Sequence, residues 1–92
     1  MLIDFSADWC IPCREMEHST FVDPSVVNEA SRFVRMKANL TKQDKRTEEL
    51  TTKYEIQGVP TTMLIDSTGK VTQRKVGYIG PQEMLAELRQ VD

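Results

Sequence analysis

Two cysteines three positions apart, in Trp9-Cys10-Ile11-Pro12-Cys13, are the residues of this chain whose types and spacing carry chemistry. A thiolate attacks a disulfide sulfur, and a second thiol one helical turn away can displace the partner from the resulting mixed disulfide. The apolar run Met1–Phe5 reads as a buried strand, Ser6–Trp9 as the exit from it, and Ile11 to about Ser19 as a helix. Cys10 then stands at a helix N-terminus, where unpaired amides and the helix dipole favour an anion, here the thiolate. Pro12 is tolerated because first-turn amides have no intrahelical partner to lose. Trp9 shields one side of the pair and offers a partner an apolar edge.

Other uses of two cysteines have to be weighed against exchange. Tetrahedral zinc needs four ligands, and the single histidine, His18, falls five positions beyond Cys13. A carboxylate or a second chain would have to complete that shell, so His18 reads as a surface residue. A copper-related or zinc module using Cys10 and Cys13 as soft ligands is the rival from another class. Covalent haem needs histidine where Arg14 stands. A purely structural disulfide this short closes too small a loop to add much stability. Redox exchange is the reading these comparisons favour.

The elements that must hold the pair follow from pattern. Asp23-Pro24 reads as an N-cap and first helical residue, with Val26, Val27 and Ala30 on one face of a second helical piece, so the helix breaks between Ser19 and Asp23. Phe33, Val34 and Met36 suggest a second strand ending near Asn39. Thr41 to Asp44 resembles a capping box with Asp in place of Glu, opening a polar helix to about Tyr54 whose buried contacts are Leu50 and Tyr54. Its charged positions read as a solvated face. Thr61–Ile65 and Val71–Val76 read as strands joined through the turn Asp66–Gly69. Gly80-Pro81 starts a last helix with Met84, Leu85, Leu88 and Val91 on its apolar face. Strands joined first through helices and then by a hairpin predict an α/β fold with a mixed four-stranded sheet flanked by helices.

Composition agrees with one folded domain over residues 1–92. The chain is 39% hydrophobic and 28% charged, which is ordinary globular usage. Burial of about 60–65% of the unfolded surface is feasible at this size. No run approaches the roughly 18–20 apolar residues of a membrane-spanning helix. Asp4 interrupts the opening run, so no cleavable signal is expected there. Twelve basic against fourteen acidic residues give −2, which makes no electrostatic case for nucleic acid. Two cysteines are too few for a secreted disulfide framework.

The stretch Asp4-Phe-Ser-Ala-Asp-Trp-Cys-Ile-Pro-Cys13 resembles the active-site segment of thioredoxin-fold proteins. The likeness continues through Gly58-Val-Pro-Thr61, similar to that family's cis-proline loop, and through Gly77. Ala7–Cys10, Glu15-Met-Glu17, Thr20-Phe21, Asp23-Pro24, Val26 and Lys37–Thr41 resemble, more narrowly, the C-terminal thioredoxin-like domain of the thiol:disulfide interchange protein DsbD. Two departures stand out: the family's usual first strand and helix are lacking, and Ile11-Pro12 differs from the Gly-Pro of ordinary thioredoxins. The chain is thus expected to be a piece of a longer protein or a minimal variant.

The resemblance implies roles residue by residue. Cys10 is the attacking nucleophile and Cys13 the resolving thiol, in agreement with the local argument. Asp4 matches a buried acid that exchanges a proton with Cys13; burial of a carboxyl raises its pKa. Lys37 matches the position that can pair with that acid. Pro60 is the cis candidate, since X-Pro is the bond where cis costs little. It brings the Val59 backbone alongside Cys10 for strand-like bonds to a substrate segment. Trp9, Ile11 and Pro12 complete the substrate surface. No cofactor is needed, because sulfur carries the electrons. The implied partners are disulfide-bearing proteins and an upstream dithiol donor, with a membrane domain attached to the parent protein and no nucleic acid. The implied location is periplasmic or otherwise extracytoplasmic, with a cytoplasmic reductase as the alternative. An oxidase or isomerase, and a non-catalytic binding domain, are the remaining rivals.

Overall fold

All five residues of β1 (Leu2–Ser6) are buried, because this strand lies inside the sheet and is covered on both faces. The computed structural model describes residues 1–91. The other elements, in chain order, are α1 (Ile11–His18), α2 (Pro24–Ala30), β2 (Arg35–Asn39), α3 (Lys45–Lys53), β3 (Thr61–Ile65), β4 (Val71–Val76) and α4 (Pro81–Arg89). The sheet order is β2-β1-β3-β4. β1 pairs parallel with β2 and antiparallel with β3, and β3 pairs antiparallel with β4. The mixed four-stranded sheet expected from the order of elements is therefore present.

Alternation along β1 divides the core in two. Leu2, with Leu64 of β3, packs under Met16 of α1, Val26 and Ala30 of α2, and Met84 and Leu88 of α4. Ile3 and Phe5, with Met63 and Ile65, meet Leu50 and Tyr54 on the opposite face. Asp4 therefore shares its face with Leu2 and points toward the layer that contains α1. The Phe5 and Tyr54 rings lie 5.9 Å apart.

The break between α1 and α2 falls where Asp23 caps the second helix, its carboxylate accepting from the Ser25 and Val26 amides. The hairpin turn also forms as expected: the Gly69 N–H donates to the Asp66 carbonyl at 3.0 Å, with Gly69 at φ +88°. No helix among the described residues is long and apolar enough to cross a membrane.

Three expectations need correction. The capping box lies three residues later than the Thr41–Asp44 reading. Asp44 is the N-cap and accepts from the Thr47 amide at 2.9 Å, while the Thr47 hydroxyl accepts from the Asp44 amide at 3.0 Å. Thr41 is drawn away into other hydrogen bonds, described below. Leu50 and Tyr54 are half-buried rather than buried, because a polar nine-residue helix covers its face of the sheet incompletely. β2 begins at Arg35, and Val34 stays 71% exposed; its carbonyl accepts from the Leu2 amide, but its side chain finds no covering layer.

The end of α3 breaks a rule of backbone preference. Tyr54 is its C-cap, the Glu55 N–H reaches the Thr52 carbonyl at 3.3 Å, and the Ile56 N–H reaches the Thr51 carbonyl at 2.9 Å. This is a Schellman ending, whose left-handed position usually holds glycine. Here it holds Glu55 at φ +54°. Glu55→Gly is expected to raise stability by about 1 kcal/mol, the relief of left-handed strain less the greater freedom of the unfolded chain. The urea midpoint measures this; an unchanged or lower midpoint would show that the position carries no such strain.

Candidate active site

Cys10 is the N-cap of α1, with φ −88° and ψ 109°. Ile11 and Pro12 occupy the first helical turn, so the proline ring meets no amide that needed a partner. Cys10 and Cys13 form a disulfide, with Cα atoms 5.3 Å apart. The Cys13 N–H donates to Cys10 Sγ at 3.2 Å. An amide donor and the helix N-terminus thus converge on Cys10, an arrangement that favours negative charge on its sulfur when the pair is reduced. Both cysteines are buried, at 3% and 4% exposure, and pack with Ala7 and half-buried Val59.

The surroundings of the buried sulfurs are open and apolar. Trp9 is 69% exposed and Ile11 68%; Pro12 is exposed as well. The Val59–Pro60 peptide bond is cis. Pro60 itself is buried, and its carbonyl accepts from the Gly77 amide at 2.8 Å. The Thr61 hydroxyl donates to the Gly58 carbonyl at 2.6 Å, so the loop is tied at both ends. A groove of about 380 Å³ runs beside Trp9 toward Leu40, Ile56 and Val59.

Asp4 is 4% exposed and lies opposite Lys37 in the parallel register. Burial raises its carboxyl above the ordinary 3.8; Lys37 and then Arg35 oppose this, and Glu17 adds to it. The expected ion pair between Lys37 and Asp4 is not made. Lys37 Nζ pairs instead with Glu17 of α1, because Asp4 lies inside the face and the long lysine reaches outward. His18 is exposed on α1. Among the described residues no three His, Cys, Asp or Glu side chains gather as a metal site.

Glu17 is a neighbour that sequence reasoning missed. With Cys13, Arg14, Lys37, Asn39 and Asp8 it lines a cavity of about 170 Å³. Its spacing from Cys13, four positions on one helix face, was the available signal. Asp8 and Asn39, 31 positions apart, offered none.

Over residues 1–92 the sequence matches the family described as the thioredoxin-like domain. It is 36% identical over 92 residues to the thiol:disulfide interchange protein DsbD of Tatumella citrea, covering 98% of this chain and 16% of that protein. To DsbD of Escherichia coli (strain K12) it is 32% identical over 91 residues, covering 97% of this chain and again 16% of the relative. The chain thus spans 16% of the length of these curated relatives. Among solved structures, the oxidised DsbD C-terminal domain of Neisseria meningitidis superposes with a TM-score of 0.90 at 24% identity, over all of this chain and 79% of that one. A thioredoxin-fold protein from Helicobacter pylori gives 0.86 at 25% identity, over 97% of this chain and 66% of that one. With the fold, the CxxC pair and the cis-proline loop in agreement with a match across its whole length, the chain belongs to the thioredoxin-like domain family.

Proposed function

We propose that this domain is a protein-disulfide reductase, passing two electrons from the Cys10–Cys13 dithiol to disulfides of partner proteins. The observation that carries the reading is the capped pair itself: Cys10 Sγ faces the Cys13 amide at a helix N-terminus, beside the Val59–Pro60 loop. In the reduced state the Cys10 thiolate attacks one sulfur of the partner's disulfide, forming a mixed disulfide and releasing the other sulfur as a thiolate. Cys13 gives up its proton and attacks Cys10 Sγ. The partner leaves as a dithiol once its thiolates are protonated, and Cys10–Cys13 remains oxidised. An upstream dithiol then reduces the pair.

Asp4, as the carboxylate, receives the Cys13 proton and later returns it, because burial raises the proton affinity of its carboxylate. Lys37 moderates that shift from the neighbouring strand. Trp9, Ile11 and Pro12 form the apolar docking surface, and the Val59 backbone pairs with an extended partner segment. The relatives named thiol:disulfide interchange protein support exchange as the chemistry. In the same reading, carried from the resemblance to DsbD, a membrane-embedded part of the parent protein is the upstream donor and the domain works in the periplasm or another extracytoplasmic space.

The direction is tested by the reduction potential of the pair, read by mass spectrometry of alkylated protein across defined thiol–disulfide buffers. A value near that of thioredoxin, about −270 mV, is expected; one near about −120 mV would make the domain a disulfide donor. Residue roles are tested by trapping. Cys13→Ser is expected to accumulate a covalent adduct with a disulfide-bearing protein on non-reducing gels, and Cys10→Ser to give none. The opposite pattern would exchange the two roles.

Asp4 also makes a pH-dependent contribution of definite sign. Its folded pKa lies above the ordinary 3.8, so the native state holds the proton longer than the unfolded chain does. That stability is complete below the ordinary value and is lost as pH rises through the folded one. Asp4→Asn lacks this titration. The variant's urea midpoint relative to the unsubstituted chain is therefore expected to climb as pH rises from about 4. A pH-independent difference would mean that Asp4 titrates normally.

A further inference from the structure

Asp8 is exposed, yet its backbone and one carboxylate oxygen are held by three other side chains. Its N–H donates to Thr41 Oγ1 at 2.7 Å. Its carbonyl accepts from Arg14 Nη2 at 3.0 Å. Its Oδ1 accepts from Asn39 Nδ2 at 2.8 Å. Asn39 Oδ1 in turn accepts from the Thr41 N–H at 2.9 Å and the Thr41 hydroxyl at 2.6 Å. The bonds among Asp8, Asn39 and Thr41 close a ring. The Thr41 hydrogen goes to Asn39, leaving an oxygen lone pair for the Asp8 amide, and the two ends of the Asn39 amide serve one neighbour each. Such linked bonds reinforce one another.

The ring joins two segments that both line one groove. Trp9 follows Asp8 in the turn closed by the Cys10 N–H on the Ala7 carbonyl at 3.1 Å. Leu40 lies between Asn39 and Thr41. Both line the groove of about 380 Å³, together with Val59, which packs against the two cysteines. Trp9 is itself largely exposed, so its place is set by the backbone of the turn rather than by packing. We infer that the Asp8–Asn39–Thr41 ring positions Trp9 against Leu40 and Val59, so that a partner segment meets a preformed surface, with Asn39 as the hub. Asn39 is a positioning residue: it acts on partner engagement through Trp9, not on the sulfurs. The inference rests on Cys10–Cys13 being the exchange site.

A swap tests it in the full chain. Asn39→Asp keeps the acceptor for Thr41 but sets a carboxylate against Asp8. Adding Asp8→Asn restores the donor–acceptor pair with its ends exchanged. Thr41→Val opens the ring without introducing a charge and serves if Asn39→Asp folds poorly. Trp9 is the only tryptophan, so fluorescence anisotropy reports its mobility directly. With insulin as the disulfide substrate and dithiothreitol as reductant, N39D is expected to raise KM about five- to tenfold, the loss of roughly one hydrogen bond. It should change kcat less and lower the Trp9 anisotropy; T41V, which adds no charge beside the cavity that Cys13 lines, should leave the reduction potential unchanged. The N39D/D8N double variant should return KM and anisotropy to their original values, and T41V should shift both in the direction of N39D. Unchanged KM and anisotropy in N39D and T41V, a T41V potential that shifts in place of KM, or a double variant that restores neither would overturn the inference. Failure of the unsubstituted chain to reduce insulin would instead count against the exchange reading, and the anisotropy series would still decide whether the ring holds Trp9.

Discussion

Everything at the site depends on the two-sided burial of β1. Its register is held by β2 on one edge and β3 on the other, and its side chains enter both cores. A strand so fixed cannot slip by one residue without moving Ile3 and Phe5 to the wrong layer. The point where the chain leaves the sheet after Ser6 is therefore determined, and with it the turn that delivers Cys10 to the start of α1. Met16 secures the other end of that short helix by packing under α4. The cysteine spacing is useful because both ends of this segment are anchored.

Burial of β1 also creates the one electrostatic oddity near the pair. Asp4 is carried inside by its own strand, and desolvation outweighs the nearby cations in raising its pKa. Lys37 faces it across the register yet gives its ammonium to Glu17. The result separates a buried acid, suited to hold a proton, from an outer ion pair that joins α1 to β2. An exposed pair of this kind contributes little to stability; its interest lies in where it stands, on the wall of the cavity that Cys13 also lines.

The apolar surface is arranged on a different principle. Trp9 and Ile11 project into solvent, and large exposed apolar residues beside a reactive pair are suited to a partner. Packing cannot fix side chains that face water. Hydrogen bonds to the backbone beneath them can, and the Asp8 turn and the ties at Gly58, Pro60 and Gly77 supply these. The cysteine pair and the exposed apolar surface beside it thus draw on separate supports, one from core packing and one from polar contacts among loops.

Local signals in the sequence determined a large part of this protein. The strands Thr61–Ile65 and Val71–Val76, the helix starts at Ile11, Pro24 and Pro81, and the place of Cys10 at a helix N-terminus all follow from interactions within a few residues: alternation, turn chemistry and capping. The family's cis bond before Pro60 was legible through the motif around it. Tertiary structure alone decided what lies far apart in sequence. The α3 cap moved from Thr41 to Asp44 because Thr41 was claimed by Asn39 and Asp8. Lys37 turned to Glu17 because Asp4 is buried beneath α1 while the long lysine reaches outward on the same face, and Val34 stayed in water, 71% exposed. In each case a polar group or side chain had several possible partners, and only the assembled sheet and loops brought one of them within reach.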